Sequence, residues 1–128
     1  MNTLSSERWR ITDNGSYLMV NGEGLVPENM TGAVSSLLGG SQKNTGKIII
    51  LRTNGDEGTI KFSSRKSTGC KSEVNLGLLM RECASKVSGV GGGHAAAAGA
   101  RITKDKLDEF LDHLEKNVSR MQSSSISE

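Results

Sequence analysis

The sequence predicts a single domain of the α/β class, and three observations carry that expectation. The chain has 128 residues, the length of one ordinary domain with a core of its own. Segments with the two-residue alternation of strands are interleaved with segments of helical spacing, and no internal repeat marks a second unit. The run "KIIIL" (47–51) is wholly apolar, as suits a strand buried on both faces. Hydrophobic residues make up 34% of the chain and aromatic ones 3%, so the core must be assembled from Ile, Leu, Val, Met and Ala.

After a polar start, "WRITDNGSYLMV" reads as two short strands about Asp13-Asn14-Gly15, because Asn-Gly between alternating residues is a hairpin signal. Beyond Pro27, the residues Met30, Ala33, Val34, Leu37 and Leu38 recur at helical spacing until Gly39-Gly40 stops the helix. Polar "SQKNTG" is a loop before the apolar strand. "NGDEG" turns the chain, and "TIKFSSR" (59–65) answers as the partner strand. On it Ile60 and Phe62 face one way, and Lys61, Ser63 and Arg65 the other. The loop "KSTGCKSE" leads to a second helix with Leu76, Leu79, Met80, Cys83 and Val87 on one stripe. A glycine-rich loop follows. The third helix opens after Thr103, a candidate N-cap, and turns Leu107, Phe110, Leu111, Leu114 and Val118 inward. The tail "MQSSSISE" is expected to be disordered.

Composition and motifs remove several classes of function. A formal net charge of +2 announces no nucleic-acid binder by itself, so any basic footprint must be local. Cys70 and Cys83 are too few for a disulfide scaffold or a cysteine-based zinc site, and read as reduced thiols of a cytoplasmic protein. No apolar run approaches the ~20 residues of a membrane helix, and the polar start is no signal peptide. "SQKNTGKI" fails as a phosphate-binding P-loop: Ser41 replaces its first glycine, and Ile48 its magnesium-binding hydroxyl. Gly91-Gly92-Gly93-His94-Ala95-Ala96 fits a dinucleotide fingerprint by letter, yet it follows a predicted helix where a strand is required. With two histidines and no cluster of Asp and His, neither a metal site nor a local catalytic triad is expected. Asp112-His113 reads as a solvated helix face.

What remains is a site built from backbone and a few polar groups. Gly91, Gly92 and Gly93 expose amide N–H groups free of side chains, and such loops form concave anion nests. His94 adds a donor that can become cationic near neutral pH. Lys61, Ser63 and Arg65 offer an ammonium, a hydroxyl and a guanidinium fork on one strand face. Together these suit a phosphate that carries a sugar or base. The same residues also fit a tight connection, a satisfied polar histidine and the solvated side of a half-exposed strand.

GGGH followed by AAGA, preceded by a K-x-S-x-R strand and by "VNLG" opening a helix, resembles the DHH-associated C-terminal domain of DHH-family phosphoesterases. "GLVPENMTGAVSSLL" and "NLGLLMRECASKVSGVGGGHAAAAGARI" are similar to the archaeal RecJ-like branch of single-strand exonucleases. The resemblance runs from about residue 18 to 118. It implies a mixed sheet with about three flanking helices. Residues 1–15 are then an N-terminal segment, partly linker, with the domain at 16–119 and the tail at 120–128.

By that resemblance the phosphate-binding residues are Gly91, Gly92, Gly93 and His94, with Arg65, Ser63 and, more weakly, Lys61. The expected partners are single-stranded nucleic acid or a nucleotide, and a DHH catalytic domain in cis or in trans. Manganese or magnesium belongs to that catalytic domain. This chain is expected to hold no cofactor and to have no catalytic residue of its own, whether it is an excised piece or a stand-alone version. Two alternatives stand beside this reading: a non-catalytic adaptor in a DNA-processing complex, and an RNA-binding relative of alanyl-tRNA synthetase C-terminal domains.

Overall fold

In the computed structural model, which describes residues 11–13, 17–40 and 46–126, the apolar run becomes strand β3 (Ile48–Asn54). Ile48, Ile49, Ile50 and Leu51 are all fully buried there. Burying such a side chain is worth about 1.5–3 kcal/mol, so this strand anchors both sides of the sheet. Its neighbours are β2 (Tyr17–Asn21), which runs parallel to it, and β4 (Thr59–Lys66), which runs antiparallel. A short β1 (Ile11–Asp13), within the segment expected to be partly linker, pairs antiparallel with β2. The turn joining them lies outside the described residues, as does most of the "SQKNTG" loop.

A parallel neighbour requires a crossover, and helix α1 (Thr31–Gly39) supplies it between β2 and β3. It ends at Gly40, as the glycine pair foretells. Its stripe is narrower than the spacing suggests. Leu38 is buried, whereas Leu37 is 73% and Met30 45% exposed. The second helix, α2 (Leu76–Ser85), is capped by Asn75, whose side chain accepts from the Leu78 N–H at 3.1 Å. The third, α3 (Leu107–Ile126), follows a turn of 3-10 helix at Lys104–Lys106. Thr103 precedes that turn in an extended conformation, without a side-chain capping bond. Helix α3 runs on through Ile126, past residue 120 where a disordered tail was expected to begin. "MQSSSI" holds neither proline nor glycine to stop a helix.

One segment departs from the sequence reading. The glycine-rich stretch is no loop: β5 (Val90–His94) and β6 (Ala97–Thr103) form an antiparallel hairpin. Glycine and alanine carry no strand propensity, so alternation among such small residues leaves no mark on a hydrophobicity pattern. Pairing with β4 holds β6 in place, and packing on α2 holds β5. Among the described residues the result is a six-stranded mixed sheet in the order β1-β2-β3-β4-β6-β5, flanked by three helices.

The two faces are covered unequally. On one, Tyr17, Met19, Ile48, Ile50, Ile60, Phe62, Ala100 and Ile102 meet the apolar stripes of α2 and α3. Phe62 and Phe110 pack there with ring centroids 4.5 Å apart. On the other, Leu18, Val20, Ile49 and Leu51 meet Val26, Leu38 and the flank of Val34. Helix α1 lies over β3 and β4. Beyond them this face continues across β6 to β5, where Val90 is 77% exposed. Among the described residues no helix is long and apolar enough to cross a membrane.

Candidate functional site

The strand registers set the candidate residues in three rungs across the open part of the sheet. The first rung is Arg65–Ala97–His94, the second Ser63–Gly99–Gly92, and the third Lys61–Arg101–Val90. Paired residues share a face, so all three rungs look toward the α1 side. Adjacent strands lie ~4.8 Å apart, which puts the Arg65 and His94 backbones about 10 Å from each other across one alanine. Successive rungs are separated by two residues, roughly 6.7 Å. The middle rung is almost bare backbone between two polar rungs.

The N-terminal turn of α1 overhangs this surface. Ser35 and Ser63 hydroxyls are 3.1 Å apart, which ties the helix to β4. Thr31 and Gly32 then face Ser63, Arg65 and Ala97 across a hollow of about 290 Å3, and among the described residues no carboxylate lines it. The first turn of α1 holds no acidic residue, and its N-cap residue, Met30, makes no side-chain capping bond. A helix N-terminus of that kind favours an anion. Arg65 Nε is buried and has no hydrogen-bond partner among the described residues. A buried donor is ordinarily paired, so an unpaired guanidinium N–H beside a helix N-terminus is a ready anion contact.

The three glycines divide by role. A Cβ on Gly91 would collide with the Met80 carbonyl oxygen of α2. One on Gly93 would stand 2.6 Å from Ala98 Cα, and the backbone there has φ +144°. Both are needed for β5 to lie close against its neighbours. Gly92 differs: nothing stands within 4 Å of its Cβ position, which opens onto the surface. The anticipated anion nest is therefore replaced by an extended edge strand. Its amides alternate between β6 and the free edge, so three successive N–H groups do not converge on one anion. His94 is exposed at the end of the strand, in register with Arg65 through Ala97.

The fold brings the expected residues Arg65, Ser63, Lys61 and His94 to one face. The sequence alone singles out none of Thr31, Gly32, Val90 and Arg101, which lie on the same side. Only the crossover carries α1 over Ser63, so no local pattern could reveal the first two. Arg101 could have been found by reading "AAGARIT" as a strand, with Arg101 on the side opposite Ile102. Among the described residues no group of three or more His, Cys, Asp and Glu side chains could hold a metal ion. Cys83 lies in the core, where burial pushes its thiol up to about 11.

The fold has known counterparts. The C-Ala domain of Aquifex aeolicus alanyl-tRNA synthetase is similar with a TM-score of 0.64 at 22% identity, over 85% of this chain and 97% of that one. A pGpG-specific phosphodiesterase of Vibrio cholerae is similar with a TM-score of 0.60 at 21% identity, over 91% of this chain. The DHH domain of a member of a ribosomal-protein family gives a TM-score of 0.59 at 18% identity, over 88% of this chain. This chain spans 37% of the phosphodiesterase and 28% of the ribosomal-family protein. Among curated protein sequences, none matches it. The DHHA1 domain family matches residues 14–120, nearly the whole of the sheet and its helices, and to that family this chain belongs.

Proposed function

We propose that this domain binds the phosphate of a nucleotide or of a single-stranded nucleic acid and positions it for a phosphoesterase active site on a DHH catalytic domain, in cis or in trans. The observation that carries the reading is the first rung: Arg65 and His94 flank one alanine beneath the first turn of α1, and among the described residues no carboxylate lines the hollow. Arg65 and His94 neutralise and orient the phosphate, Ser63 and the α1 turn donate to it, and Gly92 lets the ligand approach the backbone. Gly91 and Gly93 act indirectly, by letting β5 sit where it does. Manganese or magnesium on the catalytic domain supplies the cleavage chemistry. The contribution of this chain is to hold the substrate still. Thr31 and Gly32 belong to the "LVPENMTG" stretch, whose likeness favours a RecJ-like exonuclease acting on single strands in the cytoplasm.

A second reading is an RNA-binding role, favoured by the match to nearly the whole of the alanyl-tRNA synthetase C-Ala domain. Titration of adenosine monophosphate, short single strands and a transfer RNA separates the two. Binding of the nucleotide and the single strands, with amide shifts at 31–35, 63–65 and 92–94, supports the phosphoesterase reading. Binding of transfer RNA alone supports the second.

A further inference from the structure

The face closed by α2 and α3 has a hollow of its own, on the side of the sheet away from Arg65 and His94. It measures about 430 Å3, within the roughly 300–1,000 Å3 of ordinary ligand sites. Tyr17 and Met19 of β2 and Leu111 of α3 give it apolar walls. Asn21 and Arg52 stand together in it as register partners at the carboxyl ends of the parallel strands β2 and β3. Glu115 of α3, an exposed residue, also lines it. The strand end of this hollow has polar capacity left over. Asn21 is only 8% exposed, and its Oδ1 accepts from the Glu23 N–H at 3.0 Å. Its Nδ2 then has no acceptor among the described residues. Buried amide donors are ordinarily paired, so this one calls for an oxygen inside the hollow. Arg52 Nε and Glu23 Oε2 are buried 3.4 Å apart, an ion pair without an aligned hydrogen bond. Glu23 already neutralises Arg52, so a neutral carbonyl oxygen fits beside them better than a second carboxylate. The helix side makes the opposite demand. The ion pairs of α3 engage Glu109, Asp112 and Arg120 and leave Glu115 without a cation among the described residues.

We infer that this hollow docks a basic residue of a protein partner, presented on an extended peptide. The peptide carbonyl accepts from Asn21 Nδ2. The aliphatic stem of the arginine or lysine lies along Met19 and Leu111, as such stems do on apolar surface, and its cationic head reaches Glu115. A free amino acid fits less well, because its carboxylate would meet Glu23 beside Arg52. The hollow lies across the sheet from the phosphate surface, so the inference does not rest on the phosphate reading, and both sites can be filled at once.

The test follows amide resonances of the full chain against three probes: N-acetyl-arginine methylamide, its uncharged citrulline counterpart, and free arginine. Wild type is compared with Glu115→Gln, a substitution at an exposed position, checked by thermal melting. The blocked arginine should shift the backbone amides of Met19, Asn21, Leu111 and Glu115 and leave those of 92–94 in place. The side-chain amide resonance of Asn21 should move downfield as it gains an acceptor. Wild type should bind the citrulline probe about threefold more weakly or worse, and Glu115→Gln should remove that preference. Absence of these shifts at tens-of-millimolar probe, or equal binding of the arginine and citrulline probes by wild type, overturns the site. An unmoved Asn21 side-chain amide overturns the carbonyl contact, and a preference that survives Glu115→Gln overturns the role of that carboxylate. Tighter binding of free arginine than of the blocked form overturns the protein partner and makes the hollow a small-molecule site. The citrulline comparison in wild type needs no variant, so it decides even where Glu115→Gln fails to fold.

Discussion

Arg65 and Cys83 show how one strand or helix position can serve either the ligand or the core. Arg65 Nε is buried and unpaired among the described residues, and such a donor costs about 1–3 kcal/mol. Trimming it removes that cost but also gives up the packing of the side-chain stem, and the two roughly offset. Arg65→Ala should therefore leave stability within about 0.5 kcal/mol of wild type. Losing its charge-assisted contact should weaken adenosine monophosphate binding roughly tenfold or more. Calorimetric titration and thermal melting check this, and a collapsed melt with intact binding would make Arg65 structural. Cys83 lies fully buried, its thiol raised to about 11 chiefly by burial and then by Glu82. At pH 8 an alkylating reagent should label half-buried Cys70 readily and Cys83 only upon unfolding. Equal labelling rates in the folded protein would contradict that packing.

At the scale of elements, glycine sets how closely α2 and β5 approach, and a different glycine lines the hollow beneath α1. A Cβ on Gly77 of α2 would stand 2.5 Å from the Gly93 carbonyl oxygen, and one on Gly91 would meet the Met80 carbonyl. Gly77→Ala and Gly91→Ala should each cost about 1–3 kcal/mol, because rigid backbone must move. Gly32 in the first turn of α1 has nothing within 4 Å of its Cβ position, but it lines the hollow facing Arg65. Gly32→Ala should stabilise the fold by about 0.4–1 kcal/mol and still weaken phosphate binding. Chemical denaturation paired with nucleotide titration reads both effects. If Gly32→Ala binds as wild type, the turn of α1 is no part of the site.

For the whole molecule, the sheet divides its labour by face. One face is closed by α2 and α3, and the other is half covered by α1 and half open over β6 and β5. A net charge of +2 is concentrated by the fold into rungs that present Arg65, Lys61 and Arg101 on that open half. On the proposed reading the cleaving metal belongs to a separate DHH catalytic domain, so the chain alone should not cleave oligonucleotides in manganese. Cleavage that scales with the purified chain and vanishes with a chelator would place a catalytic centre here after all.

The sequence by itself determined the elements whose residues carry contrast. The apolar run marked β3, the alternation of Ile60 and Phe62 with Lys61, Ser63 and Arg65 marked both faces of β4, and the helical stripes marked α2 and α3. Those signals are strong because large apolar side chains must leave water wherever they stand. The GGGH and K-x-S-x-R pattern also pointed to the family before any geometry was known. The hairpin of β5 and β6 was illegible, because glycine and alanine give no contrast between inward and outward positions. Only the tertiary structure decided that two of the three glycines serve packing, and that His94 shares a rung with Arg65. Thr31 and Gly32 reach the same hollow through the β2–α1–β3 crossover. Such juxtapositions depend on strand order and register, which are fixed by contacts between residues far apart in the chain.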